Sequence, residues 1–354
     1  MIFKNNMINR KLLNQLLFTV IFIITSVLSL IFIHHIFGDR AVFLNLRIFS
    51  PEVLSKVIIL LILYFLLDTL RLFYILKALN VNVDFKYIIK LAFINIFISN
   101  ITPFASGGGF AQIYFLNKKG VAIGDATAAS TIRTVIPIIL FAVSTPIILA
   151  FDQSILKIFS NNNTLVYIGI LIVIYILAMY IIWKLIKNPR TIKIILYKIM
   201  YFLEDKEIIK PYKTKRWIKK TFREIHRFSI NTTRFFDGDK KYVSLSIVFT
   251  ILFLLSLFSF SVILIRGLSP EASPLSIILS QIVITFGMYF APTPGATGVA
   301  EGGFTLMFAD FVKKRDIVSL IFAWRFFTIY LGMIIGMIIF YFEMFKNNGR
   351  DVRN

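Results

Sequence analysis

Arg133 and Arg325 each lie deep in a long apolar run, eight and nine residues beyond an aspartate, Asp125 and Asp316 respectively. At ~1.5 Å per residue, about nine helical residues carry each guanidinium roughly 13 Å into a ~30 Å hydrocarbon layer, near its middle. An arginine at that depth costs about 2.5–3.5 kcal/mol on insertion scales, so it needs a partner. The planar guanidinium fork suits bidentate binding of phosphate, and both arginines are candidates to hold one phosphate at the midplane. The competing reading is structural. Asp68 and Glu301 are carboxylates in the same apolar surroundings, and each can neutralise one arginine as a buried ion pair. Arg71 stands at i+3 from Asp68, a spacing that pairs them along one helix face.

Two backbone breaks accompany these charges, "TPFASGGGFAQIYF" at 102–115 and "APTPGATGVAEGGF" at 291–304. Gly107, Gly108 and Gly109 in the first, and Gly295 and Gly298 with Pro292 and Pro294 in the second, let the chain turn sharply and approach a ligand closely. Half-helices that start after the breaks would aim N–H groups and positive dipole ends at the centre. Asn100, Thr102, Ser106 and Gln112 add neutral hydrogen-bonding groups to the first break, and Thr293 and Thr297 to the second. Tight helix packing is the other use of glycine, and Gly298-x-x-x-Gly302 and Gly332-x-x-x-Gly336 fit it alone. No strand precedes the glycines, so their spacing is not a dinucleotide fingerprint.

The elements that must position these groups are membrane helices. Apolar residues make up 58% of the 354 residues and charged residues only 16%, and the mean hydropathy is +0.81. Soluble domains sit near 45–50% apolar, so this is an all-α integral membrane protein. Runs long enough to span a bilayer lie at about 12–37, 57–79, 126–150, 164–186, 242–266 and 317–342. Regions 85–117 and 275–311 are each split near the middle, and each reads as a re-entrant hairpin of two short arms. Irregular backbone at membrane depth survives only where protein or a wet cavity surrounds it. Two ordinary helices joined by a surface turn are the alternative.

Charge sets the orientation. Residues 187–241 hold sixteen Lys/Arg against six Asp/Glu, which supplies +10 of the net +21, and this loop is expected in the cytoplasm. Amphipathic helices there would turn Ile194, Leu196, Met200, Trp217, Ile218, Phe222 and Phe228 toward lipid or protein. Their basic faces suit an anionic membrane surface, although a plain positive-inside loop suffices. No nucleic-acid motif accompanies the charge. With both hairpins re-entrant, the N-terminus, 77–90, 118–125, 184–241 and the C-terminus fall inside with 28 Lys/Arg, against 8 in the outside segments. The expected order is then a first membrane repeat at 1–183, with the second repeat starting at helix 164–186. The basic loop 187–241, the remaining membrane part 242–345 and a cytoplasmic tail 346–354 follow. Helix, helix, hairpin, helix occurs twice with opposite entry sides, an inverted-repeat plan common in transporters. "PFASGGGFAQ" (103–112) parallels "PTPGATGVAE" (292–301), and each is followed by Lys-Lys, an aspartate and an arginine.

Enzymatic chemistry finds little support. Cysteine is absent, and His34, His35 and His226 share no metal-ligand spacing. No paired carboxylates or Ser–His arrangement stand out, and nothing calls for a cofactor. "PTPGATGVAEGGF" (292–304) resembles the P-x-P-G-G-x-G-x-x-E signature of the lysylphosphatidylglycerol synthase transmembrane, or flippase-like, family. "NITPFASGGGFAQIYFLNKKGV" (100–121) resembles that family's first-half hairpin, and the resemblance runs over roughly 10–345. It implies a polytopic protein of the cell membrane with two re-entrant hairpins, moving an anionic or aminoacylated phospholipid between leaflets. Pro292, Pro294, Gly295, Gly298 and Glu301 carry over onto the signature. Gln112 follows Phe110-Ala111 where many members have charged residues, Ala300 stands where many have arginine, and Ala296 replaces a glycine. A polyprenyl-phosphate carrier translocase and a non-transporting subunit of a glycosyltransferase or synthase are the alternatives. A phosphatidylglycerol lysyltransferase is disfavoured, since Asn354 lies only twelve residues past the last expected span.

The orientation is directly testable, because a chain without cysteine gives no labelling background. In cells, K118C should react only with a membrane-permeant thiol reagent, and K314C also with an impermeant one. Labelling of both from the same side would remove the inverted arrangement.

Overall fold

The computed structural model describes residues 50–152 and 211–345, with isolated helical positions elsewhere such as Val20, Ile24 and Tyr180. The expected spans 12–37 and 164–186 fall almost wholly outside the described residues, as do Leu196, Met200, His34, His35 and the tail 346–354. Every regular element among the described residues is helical: α1 (Pro51–Ala78), α2 (Phe85–Asn100), α3 (Ser106–Lys118), α4 (Ile123–Phe151), α5 (Pro211–Asp237), α6 (Lys240–Leu268), α7 (Pro274–Met288), α8 (Val299–Phe308), α9 (Ile317–Arg325) and α10 (Leu331–Phe345). Among the described residues, four helical stretches are long and apolar enough to cross a membrane: α1, α4, α6 and the run Lys314–Met344 that contains α9 and α10. They coincide with four of the expected spans.

Local chemistry explains where the helices begin. Ser50 accepts from the Val53 N–H at 3.4 Å and Pro51 needs no partner for a missing N–H, so α1 starts there. Asp239 accepts from the Lys241 N–H at 2.9 Å and starts α6. Ser273 and Pro274 do the same for α7.

The helices pair across the two halves. α1 and α6 run antiparallel, with Tyr64 stacked on Phe253 at 5.0 Å and Tyr74 beside Tyr242 at 6.3 Å. α10, from the second half, lies along α2 of the first. Symmetrically, α4 of the first half packs on α7 of the second, with Phe141 and Tyr289 rings 5.6 Å apart. Each half thus covers the split region of the other. Lys90 Nζ lies 2.6 Å from Glu343 Oε1, and Lys118 Nζ donates to the Glu343 carbonyl at 2.6 Å. Residues 80–82, 119–122, Arg227 and Asn231 share one crevice at that same end. The segments that charge assigned to one side of the membrane are therefore neighbours in space.

The basic helix α5 is pinned here by polar contacts as well as apolar ones. Glu224 Oε2 accepts from the Gly124 N–H at 2.9 Å, capping α4 from outside, and Asn231 bonds Asp125. Phe235 is fully buried and Phe228 packs at the edge of the same core. Leu116, Ala126 and Ala129 belong to that core, so α5 is docked on the bundle.

The breaks themselves repeat. Thr102-Pro103-Phe104-Ala105 and Thr293-Pro294-Gly295-Ala296 each form a single 3₁₀ turn whose last two residues have left-handed backbone: φ 53° and 50° in the first, 58° and 54° in the second. The equivalent of Pro103 is therefore Pro294, two residues beyond the match suggested by the sequence. Three of the four left-handed residues carry a Cβ, and such strain persists only where surrounding structure enforces it. The two turns touch each other.

α10 approaches α2 through Gly336, where an added Cβ would sit 2.1 Å from the Phe93 carbonyl oxygen, a backbone atom that cannot move aside alone. Gly336→Ala should lower the melting temperature in detergent and the yield of folded protein. Gly287→Ala, with nothing within 4 Å of the new methyl, should be neutral or stabilise by up to about 1 kcal/mol. Equal behaviour of the two variants would contradict this packing.

Candidate functional site

Where the breaks meet, residues of α1, α2, α3, α4, α6, α7 and α9 and of the turn after α9 line a cavity of about 490 Å³. Its charged lining is Asp68 and Arg71 from α1 and Arg133 from α4. Arg133 Nη2 donates to Asp68 Oδ1 and Oδ2 at 2.9 and 2.7 Å, and its Nη1 donates to Gln112 Oε1 at 2.8 Å. Arg71 Nε donates to Asp68 Oδ1 at 2.7 Å, and its guanidinium lies 4.1 Å over the Phe253 ring. Asp68 and Gln112 are each 1% exposed and Arg133 5%, so this is a desolvated cluster. One carboxylate serves two guanidinium groups.

The second half solves the same problem without a surplus. Glu301 Oε1 accepts from Arg325 Nε at 2.8 Å, and Arg325 Nη2 stands 2.7 Å away as an ion-pair contact, out of line for a hydrogen bond. Glu301 Oε2 accepts from the Gly298 N–H at 2.6 Å, and Arg325 Nη1 donates to the Gly295 carbonyl at 2.9 Å. Glu301 caps the start of α8 while Arg325 holds the turn before it. That explains a glutamate 0% exposed within an apolar helix pair. Neither Glu301 nor Arg325 lines the cavity. Both helices leave regular hydrogen bonding within a turn of their arginine: Pro137 denies the Arg133 carbonyl its usual donor, and a π-turn (Phe326–Tyr330) follows Arg325.

The remaining candidates divide by role. Asn100, Gly109, Gln112, Thr293 and Gly295 line the cavity. Thr102, Ser106, Gly107, Gly108, Pro292, Pro294 and Gly298 do not. Thr102 Oγ1 donates to the Ile98 carbonyl at 2.8 Å and accepts from the Gly107 N–H at 2.9 Å, holding the first turn. Ser106 is exposed and donates to the Pro103 carbonyl at 2.9 Å. A Cβ on Gly107 would meet Thr102 Cγ2 at 2.5 Å and one on Gly108 would meet Ser99 Oγ at 1.8 Å, so both serve close packing of α3 on α2. Pro294 is buried in its turn, Pro292 is exposed, and Gly298 at φ 91° takes a conformation open to glycine.

Sequence reasoning passed over Asn95, Ser99, Ser130, Thr134, Gln281 and Trp324, all of which line the cavity. The signal was present in part. Asn95/Ser99 and Ser130/Thr134 are i,i+4 polar pairs inside apolar helices, and the second pair flanks Arg133. Buried nitrogens of Gln112 (Nε2), Arg133 (Nε) and Trp324 (Nε1) have no hydrogen-bond partner. Buried donors of this kind are rare and call for an explanation.

A sequence model of the lysylphosphatidylglycerol synthase TM region matches residues 17–336. A UPF0104 membrane protein of Archaeoglobus fulgidus is 21% identical over 290 residues, covering 80% of this chain and 84% of that relative. The family match runs through both breaks, both arginines and every residue of the charged cluster, and on that extent the chain belongs to the lysylphosphatidylglycerol synthase TM region family.

Proposed function

We propose that the protein is a lipid translocase of the cell membrane, moving an anionic or aminoacylated phospholipid between leaflets through the cavity where the breaks meet. The observation that carries this reading is the cluster of Asp68, Arg71 and Arg133, with unpartnered donors beside it, inside a cavity shared by both halves. A head group there exchanges water for fixed donors, while exposed Phe104 and Phe110 near the first break offer an apolar surface for trailing acyl chains. The split regions act as re-entrant hairpins, and rocking of one half against the other would open the cavity to each side in turn. In this reading the termini and α5 face the cytoplasm, with α5 against the anionic inner surface. The protein transports and does not catalyse.

Reconstitution into vesicles with fluorescent phospholipids, followed by quenching of the outer leaflet, tests the activity. Paired neutralisations then separate the two arginines. Arg325→Gln alone leaves Glu301 buried and unpaired, a loss of about 3–5 kcal/mol, and should sharply reduce folded protein. Adding Glu301→Gln should restore both yield and lipid movement. Asp68 also holds Arg71, so restoring yield after Arg133→Gln takes the triple change with Asp68→Asn and Arg71→Gln. Lipid movement should not return with it, because Arg133 belongs to the binding surface. Full recovery of movement in that triple variant would place the head-group site elsewhere.

A further inference from the structure

Resting on the translocation reading above, the charge inventory of the cavity narrows the lipid. Two guanidinium groups face one carboxylate, so the charged lining carries a surplus of +1 among the described residues. Asp68 is already spent. A carboxylate offers about four acceptor positions, and three are taken by Arg71 Nε and by Arg133 Nη2 twice, at 2.7–2.9 Å. An ammonium seeking the fourth would have to settle between two guanidinium groups. Glu301 gives no alternative, since it is sealed by Arg325 and the Gly298 N–H away from the cavity. Side-chain hydroxyls and amides of the lining supply neutral acceptors only.

The unpartnered buried side-chain atoms of the residues that line the cavity point the same way. Gln112 Nε2, Arg133 Nε and Trp324 Nε1 are all donors. A group with several acceptor oxygens and one negative charge would satisfy the donors and cancel the surplus at once. We infer that the cavity selects lipids whose head group is a phosphate anion without a cationic amine, and disfavours aminoacylated phosphatidylglycerol. A phosphodiester presents two non-bridging oxygens to the forks of Arg71 and Arg133, and a phosphomonoester presents three. A lysylated head group brings two ammonium groups to a site with no free carboxylate. Gln112 is the residue that sets this balance. Its Oε1 accepts from Arg133 Nη1 at 2.8 Å, and a carboxylate in that position would bring the lining to neutrality.

The full chain, reconstituted in phosphatidylcholine vesicles, would be offered four fluorescent probes in turn: phosphatidylglycerol, phosphatidylcholine, lysylphosphatidylglycerol and a short polyprenyl phosphate. Phosphatidylglycerol or the polyprenyl phosphate should move about tenfold faster than the other two, the effect of one charge-assisted hydrogen bond. Whichever of the two moves faster identifies the source of the phosphate. Gln112→Glu should erase that ratio or turn it toward the lysylated lipid. Arg71→Gln, which removes the surplus without adding a carboxylate, should bring the anionic probes down to the phosphatidylcholine rate. Lysylphosphatidylglycerol moving as fast as phosphatidylglycerol would overturn the selectivity while leaving translocation intact. So would an unchanged ratio in either variant that folds. Movement of no probe would overturn translocation, and the selectivity with it.

Discussion

A guanidinium group enclosed by apolar helices must be met by a carboxylate and by enough acceptors for its remaining hydrogens, and much of this structure follows from that demand. In the second half the demand shapes the backbone. Glu301 has to reach Arg325 and also caps α8, and the Gly295 carbonyl is turned toward Arg325 Nη1, so ion pair and break form one unit. In the first half the carboxylate comes from a different helix. Asp68 on α1 ties α4 to the bundle through Arg133 across 65 residues of sequence. Removing water from such pairs is expensive, and buried pairs are weak evidence for stability as such. Their better attested role is to fix which helix faces sit together, and here each arginine fixes one break against its neighbouring span.

The halves share a break and differ in what they do with it. Thr-Pro followed by two left-handed residues recurs, and the two turns touch across the pseudo-symmetric interface. Contact between them accounts for left-handed Phe104 and Ala105, which cost free energy that isolated turns would not bear. Both turns border the cavity, while Pro103, Phe104 and Ala105 of the first are themselves exposed.

Much of this was legible in the sequence because it rests on period-free signals. Apolar length located four spans to within a few residues, and Gly/Pro clusters located both breaks. Asp68 and Glu301 were the available counter-ions for Arg133 and Arg325, and the pairs form as composition suggested. Helix rotation was not legible. Whether Arg325 faces the cavity or lies behind it depends on a twist of α9 that hydropathy cannot resolve in a helix apolar on most sides. The repeat register was misread by two residues because Pro292 offers a second proline, and only the left-handed pair at Gly295–Ala296 identifies Pro294 as the match. Gly107 and Gly108 look like ligand-approach glycines in sequence, yet the neighbours a Cβ would strike are Thr102 and Ser99 of the same split region.

The asymmetry between the halves is the more informative outcome. An inverted repeat with identical charges in both halves would place two closed pairs at the centre and leave no net field in the cavity. Arg71 beside the Asp68–Arg133 pair, with a neutral Gln112 as the other partner of Arg133, breaks that balance. Arg133 shares Asp68 with Arg71, and the sharing leaves one surplus positive charge in the cavity lining beside unpartnered buried nitrogens of Gln112, Arg133 and Trp324. In a low-dielectric interior a surplus charge without a ligand is unfavourable, and it raises the affinity for whatever anion enters. A fold that needed only to hold its helices together would have closed both pairs. Under the translocation proposed above, the open pair, on the face where the two breaks meet, is where an anionic head group would supply the counter-ion.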